Sequence, residues 1–425
     1  EQTLNDTCIE NIVVTELGDS FAFAKRLLMN FVIKRVKKMV PEYNLPQAIS
    51  FRDAMAIGAS KTFDAVTIEP DDVAFLQYTG GTTGLAKGAV LSHLNITANV
   101  QQLIELSRGE FVPCEDVIVT ALPLYHIFAL TLCCLLGIAY ASHIMLITNP
   151  RDLPLMVKLL RKVKFTAMIG VNTLFNALNH SEEFKQLDFS SLKMSIAGGM
   201  PLQVSVADQW QAITGSWINQ GFGLTESSPV VSANPFYHER ATGSIGLPLS
   251  STDVSIRDDS GKALGIGEAG ELWVKGPQVM RGYWNKPNET KRVLTDDGWL
   301  KTGDIAKMDD KGYLFIVDRK KDMIDVSGFN VYPAEVEEVI ASHPGVLEVG
   351  VIGVPHPKTG EAVKAFIVKK DPNLNREDIR EYCSERLTRY KIPKIIEFKD
   401  DLPKSNVGKI LRRALRIEKK QTAEV

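Results

Sequence analysis

Apolar positions along this chain fall into short runs, each followed by a more polar stretch with helical spacing. VAFLQYT precedes SHLNITANVQQLIEL, FTAMIGV precedes NTLFNALNH, and LKMSIAG precedes PLQVSVADQWQAI. The compact runs predict buried strands and the longer stretches predict helices. Their alternation predicts parallel strands joined by crossover helices. The texture changes near Ser244. IGLPL, DVSIRDDSGKAL, GELWVKG and GYLFIVD read as short strands divided by Gly, Pro and Asp turns, a β-rich subdomain over about 244–320. Asp318-Arg319-Lys320-Lys321-Asp322 is a charged connector. Beyond it, PAEVEEVIASHPG and REDIREYCSERL predict helices, and VLEVGVIGV and VKAFIVKK predict strands. The predicted fold class is α/β: a large multi-subdomain part over 1–320 and a small α+β unit over 321–425.

Two segments raise the question of a membrane. Val117 to Pro150 holds no Asp, Glu, Lys or Arg, and Ala129 to Ile147 approaches the length of a spanning helix. Pro123, Thr131, Tyr140, Ser142 and His143 interrupt it, so a buried strand–helix–strand unit is the stronger reading and membrane contact the alternative. Phe21 to Val40 sets Phe23, Leu27, Leu28, Phe31, Val32, Val36 and Met39 near helical spacing among Lys25, Arg26, Lys34, Arg35, Lys37 and Lys38. A basic amphipathic helix of this kind either packs on its own domain or lies on an anionic bilayer.

Composition narrows the classes. The 425 residues are 44% hydrophobic and 24% charged, as in a globular enzyme, which excludes a disordered chain, a collagen and a coiled coil. Lys plus Arg total 49 against 51 Asp plus Glu, a net charge of −2. Without a basic excess, no nucleic-acid partner is expected. Cys8, Cys114, Cys133, Cys134 and Cys383 are irregularly spaced and odd in number, which predicts reduced thiols in a cytoplasmic protein.

The densest chemistry is Tyr78-Thr79-Gly80-Gly81-Thr82-Thr83-Gly84-Leu85-Ala86-Lys87-Gly88, directly after an apolar strand. Unencumbered amides, hydroxyls and one ammonium suit a loop that wraps a polyphosphate. It is not a Walker A loop, because Ala86 precedes Lys87 and Gly88 follows it. Gly265, Gly267 and Gly270 match a dinucleotide fingerprint by spacing, but they precede a strand and read as a turn. Other polar groups sit beside glycines: GGMP at 198–201, GFGLTE at 221–226, GWLKTGD at 298–304, Arg319, and PKSNVGK at 403–409. Each alone is equally a turn. Lys409, in particular, reads by itself as a solvated lysine of a basic tail, and His126 in PLYHIFAL as a core histidine.

Taken together, and in this order, these segments resemble the adenylate-forming superfamily of acyl-CoA synthetases, peptide-synthetase adenylation domains and beetle luciferases. FLQYTGGTTGLAKGA, TALPLYHIFALT, IVDRKKDMI, VSGFNVYPAEVE and LPKSNVGKILRR are most similar to bacterial long-chain fatty-acid–CoA ligases, which activate fatty acids for β-oxidation. Members of that group extend further before the point matching Glu1, so the resemblance implies a large domain without its N-terminal portion.

The resemblance implies an acid–thiol ligase using ATP, Mg²⁺ and coenzyme A on a fatty acid; peripheral contact at the inner face of the cell membrane, which the basic segment Phe21 to Val40 leaves open, and a homodimer stand beside it as alternatives to a free monomer. By motif position, Thr79 to Lys87 embrace the outer phosphates, Thr225 the α-phosphate, and Glu226 the metal. Asp304 and Arg319 take the ribose. Phe222 stacks on adenine beside Gly199, Met200, Gln220 and Gly221. Lys409 bridges the acid and the α-phosphate, and His126 lines the acyl and thioester site. Lys321 is the hinge of a mobile small domain, whose rotation brings Ser327 and Gly328 to the CoA path. Two positions depart from the pattern: Leu130 stands where some relatives carry an aromatic gate, and Asp325 where close ones are apolar.

Overall fold

A computed structural model of the chain describes residues 4–79, 86–236, 242–406 and 408–421. Two compact units divide at Ile68/Glu69. In the first, strands Ile12–Val14 and Ala48–Ser50 pair in parallel. Helix Phe23–Phe31 continues as a π-helical turn, Val32–Val36. Helix Phe51–Ala59 is capped by Ser50, whose hydroxyl accepts the Asp53 amide at 3.1 Å.

The second unit is organised by a seven-stranded sheet. Its order is Leu247–Pro248, Val230–Ala233, Ile218–Gly223, Met194–Ala197, Ala167–Gly170, Val117–Thr120, His143–Leu146. The last five of these strands run parallel and the first two antiparallel. Every residue of Ala167–Gly170 is buried, as a strand covered on both faces must be. Helices Leu153–Leu160, Asn172–Asn179 and Val204–Thr214 cross between parallel strands. Trp210 fixes two of them. Its ring lies 4.7 Å from Phe175 and 5.3 Å from Phe184, and its indole N–H donates to Ser195 Oγ at 2.9 Å. Truncating so fully buried a ring costs about 3–5 kcal/mol.

The charge-free stretch Val117 to Pro150 is a strand–helix–strand unit: Val117–Thr120, a helical run Ile127–Ala139, and His143–Leu146. Phe128, Leu132, Cys133 and Leu136 face the core. The middle of that run, Leu130–Leu135, is π-helical, a distortion frequent at functional sites. Among the described residues no helix is long and apolar enough to cross a membrane.

Strands Asp253–Arg257, Gly270–Lys275, Leu300–Met308 and Leu314–Arg319 form an antiparallel sheet. Gly267 sits in the turn before Gly270–Lys275, with φ of 80°. After a 3₁₀ turn at Lys320–Asp322, five strands form a last sheet. Gly360–Lys369 lies inside it, between Val346–His356 and Ile324–Val326, and also pairs with Ile395–Lys399. Helix Pro333–Ala341 packs on this sheet, and Ile324, Val336, Ile340, Val351 and Ile367 share its core.

Candidate active site

Parallel strands open their carboxyl ends on one side, where α/β sheets commonly bind ligands. Here the segments after Thr120, Gly170, Ala197 and Gly223 all line one cavity of about 2180 Å³. The antiparallel sheet contributes Asp304 and Arg319 to it, and the segment between strand Ile395–Lys399 and helix Arg412–Gln421 contributes Lys409. Residues far apart in sequence therefore meet through topology.

Asp304 and Arg319 are cross-strand neighbours in register. Arg319 Nε lies 3.3 Å from Asp304 Oδ1. Asp304 is 5% exposed, and its Oδ2 is buried without a hydrogen-bond partner among the described residues. Burial pushes its carboxyl above the usual carboxylate range, opposed by the charges of Arg319 and Lys409. An orphaned buried acceptor is costly unless a ligand's donors complete it.

Lys409 is half-buried in the same cavity. Burial first, and then the positive charge of Arg319, pulls its amine down from 10.5 to about 8, while Asp304 pulls the other way. His126 caps the helical run: its Nδ1 accepts the Phe128 amide at 3.3 Å, so the ring proton sits on Nε2. Burial, followed by the charge of Lys409, lowers its basicity.

Thr79, Gly199, Met200, Gln220, Gly221, Phe222, Thr225, Glu226 and Lys321 also line the cavity. Gly80, Gly81, Thr82, Thr83 and Gly84 lie outside the described residues. Lys87 reaches the cavity wall, where it pairs with Glu289 and lies 5.1 Å from the centre of the Tyr283 ring. Tyr283 in turn donates its hydroxyl to Glu226 Oε1 at 2.6 Å. Burial, then the charge of Glu226, holds that phenol well above its ordinary range. Neither Glu289 nor Tyr283 was among the residues expected from sequence.

Ser327 and Gly328 are not brought to this cavity. They form the exposed turn of a hairpin, with φ of 56° and 83°. Asp325 has a local task there, its Oδ1 accepting the Gly328 amide at 2.6 Å. That hydrogen bond accounts for a carboxylate at this position. Leu130 lines the cavity without supplying an aromatic ring.

The donor set also bears on a metal. No cluster of three or more His, Cys, Asp or Glu able to hold an ion occurs among the described residues. Glu226 is a single carboxylate, already oriented by Tyr283. One carboxylate plus substrate phosphates is the usual arrangement for Mg²⁺, so these residues fit that ion rather than a dedicated protein cage.

Residues 3–284 match the model of the AMP-binding enzyme family, and 335–409 match the AMP-binding enzyme C-terminal domain. The chain belongs to the AMP-binding enzyme family. This AMP-binding enzyme is 55% identical over 418 residues to a long-chain-fatty-acid–CoA ligase of Yersinia pestis, covering 98% of this chain and 74% of the relative. Its fold is similar to ATP-bound MatB from Rhodopseudomonas palustris, with a TM-score of 0.79 and 33% identity over 88% of this chain and 74% of the other. The o-succinylbenzoate coenzyme A synthetase MenE of Bacillus subtilis, in complex with ATP and magnesium ion, gives a TM-score of 0.74 and 28% identity over 96% and 79% of the two chains.

Proposed function

We propose that this AMP-binding enzyme is an ATP-dependent long-chain fatty-acid–CoA ligase, an acid–thiol ligase acting through an acyl-adenylate. One observation carries the reading. A single cavity joins the charged group of Asp304, Arg319 and Lys409 to an apolar limb lined by Leu103, Leu106, Phe111, Leu132 and Leu136. Such a space suits a nucleotide at one end and a hydrocarbon tail at the other.

In the first half-reaction the fatty carboxylate attacks the α-phosphorus of ATP and pyrophosphate leaves. Both reactants are anionic, so positive charge must stand where they meet. Lys409 supplies it between carboxylate and α-phosphate, and Thr225 bonds the same phosphate. Asp304 Oδ2 accepts the ribose hydroxyls, with Arg319 beside them. Phe222 stacks on adenine in the pocket of Gly199, Met200, Gln220 and Gly221. Thr79 to Lys87 hold the outer phosphates, for which Lys87 leaves Glu289. Glu226 would hold Mg²⁺, which neutralises phosphate charge when bound.

In the second half-reaction the CoA thiolate attacks the acyl carbon and AMP leaves. For this step we infer a hinge at Lys321. Rotation of 321–425 withdraws Lys409 and brings Ser327 and Gly328 to the thiol path, beside His126.

The test is fatty-acid-dependent exchange of pyrophosphate into ATP, with oleate and with acetate, followed by CoA addition. Exchange with oleate alone and then oleoyl-CoA is expected. Exchange without a thioester product would point to a fatty-acyl-AMP ligase; exchange with acetate would point to another acyl-CoA ligase. Binding without exchange would overturn the enzyme reading in favour of a nucleotide- or acyl-binding chain.

We further infer that the chain works in the cytoplasm against the bilayer's inner face. The helix Phe23–Phe31 exposes Phe23, Leu28 and Phe31 beside Lys25 and Arg26, the pattern of a surface-seeking helix. Sedimentation with anionic but not zwitterionic vesicles is the expected result, and equal partition would refute it.

A further inference from the structure

Arg412 stands three residues beyond Lys409 and opens the last helix, Arg412–Gln421. Its guanidinium is largely buried, with 16% of the side chain exposed. Nε donates to Glu337 Oε1 at 3.0 Å and Nη2 to Glu337 Oε2 at 2.6 Å. Nη1 donates to Asp318 Oδ1 at 2.8 Å and lies 3.4 Å from Asp322 Oδ2. A planar fork matched to a carboxylate in two bonds is geometrically specific in a way that a lysine is not.

The partners come from both sides of Lys321. Asp318 belongs to the strand Leu314–Arg319, Asp322 to the 3₁₀ turn, and Glu337 to the helix Pro333–Ala341. Asp318 also accepts the Arg319 amide at 2.6 Å and the Ala334 amide at 2.7 Å. Arg319 pairs with Asp304. One guanidinium thus ties the cavity wall to the unit that carries Lys409. If it were withdrawn, the carboxylates of Asp318, Asp322 and Glu337 would lose a shared counter-charge, leaving Asp322 with Arg416, 3.1 Å away. That makes the clasp a closed-or-open element rather than a graded one.

A second contact grips the other side of Lys409. Thr173 Oγ1 donates to the Gly408 carbonyl at 3.1 Å. Gly408 has φ of 81°, and a Cβ there would sit 2.9 Å from Thr173 Oγ1, so the hydroxyl fits closely against bare backbone. Nearby, Asn176 Nδ2 donates to the Leu347 carbonyl at 3.1 Å.

We propose that Arg412 is a positioning residue which, together with Thr173, locks the C-terminal unit in the orientation that places Lys409 in the cavity, and so sets the fraction of molecules competent for the first half-reaction. The proposal rests on Lys409 acting in adenylation. It assigns Arg412 no contact with substrate; release of its clasp is what the second half-reaction requires.

The two half-reactions are measured separately on wild type, Arg412→Gln, Arg412→Lys and Thr173→Val. Oleate-dependent exchange reports the first, and conversion of supplied oleoyl-AMP and CoA reports the second. In parallel, fluorophores at the exposed positions Gln186 and Asn373, introduced as cysteines with Cys8 and Cys114 replaced by serine, report the distance between the two sides. For Arg412→Gln, exchange is expected to fall about tenfold or more while the thioester step stays within about twofold, and a second distance population appears. Arg412→Lys restores part of the exchange, and Thr173→Val gives a smaller loss of the same kind without touching the ion cluster. Equal loss of both half-reactions with one unchanged distance would overturn the lock, as would no change in either. Absence of oleate-dependent exchange in wild type would instead sink the functional reading. The distance arm would then still decide the lock: a second population in Arg412→Gln supports it, and a single unaltered one refutes it.

Discussion

Replacing Lys409 by methionine should make the protein more stable while abolishing adenylation. The site holds this amine at about 8 instead of 10.5, chiefly by burial. That displacement amounts to on the order of 3 kcal/mol against the charged form. Partial solvent contact of a half-buried side chain reduces it to about 2 kcal/mol. The sign follows from proton counting. Between about 8 and 10.5 the unfolded chain keeps a proton that the folded site releases, so wild-type stability from this group rises with pH across that window. Below the window the cost is fully present. Lys409→Met should therefore exceed wild type by about 2 kcal/mol near pH 7, seen as a higher denaturation midpoint in urea, and the gap should narrow toward pH 10. The same displacement predicts that kcat/KM for exchange declines as pH rises through about 8, because a neutral amine cannot bridge two anions. A methionine variant equal to or weaker than wild type near pH 7 would refute the view that burial strains this lysine.

Other perturbations test neighbouring groups. Glu289→Gln removes the carboxylate that holds Lys87 at the cavity wall, so ATP affinity measured by calorimetry should rise; an unchanged or weaker affinity would mean that the pair does not compete with phosphate. Tyr283→Phe removes the donor that orients Glu226. The Mg²⁺ concentration needed for half-maximal ATP binding in calorimetry should then rise roughly tenfold, and an unchanged requirement would deny the phenol that role. Gly246→Ala should cost on the order of 3 kcal/mol or more, read as a lowered melting temperature, since φ is 86° and the new Cβ would lie 1.9 Å from the Ala233 carbonyl carbon.

The buried strands and crossover helices were legible because their period and composition are local properties. So was the strand–helix–strand character of Val117 to Pro150, where two histidines, two prolines and scattered hydroxyls break what would otherwise pass for a membrane span. Asp304 and Arg319 could be named from their motifs, yet their pairing depends on cross-strand register fifteen residues apart. Lys87 and Glu289 are separated by 202 positions, and no pattern within either segment announces the other. Arg412 was hidden for a different reason. In a run of Lys and Arg it looks like one more solvated charge, and only the fold shows three acidic side chains converging on it. The compact division at Ile68/Glu69 also went unread, because the linking residues carry no Gly or Ser-rich signature.

The cavity is assembled from two sets of elements that share little backbone. Its apolar limb is carried by the helix His93–Leu106, the loop residue Phe111 and the π-helical run behind His126, whereas its charged end is carried by strand termini, the antiparallel sheet and the segment that bears Lys409. Side chains on one set can change without re-aiming the other. A lineage built on this plan is therefore free to trade one carboxylic acid for another by accumulating substitutions along a helix and a loop. Throughout that drift, the apparatus that spends ATP stays as it was.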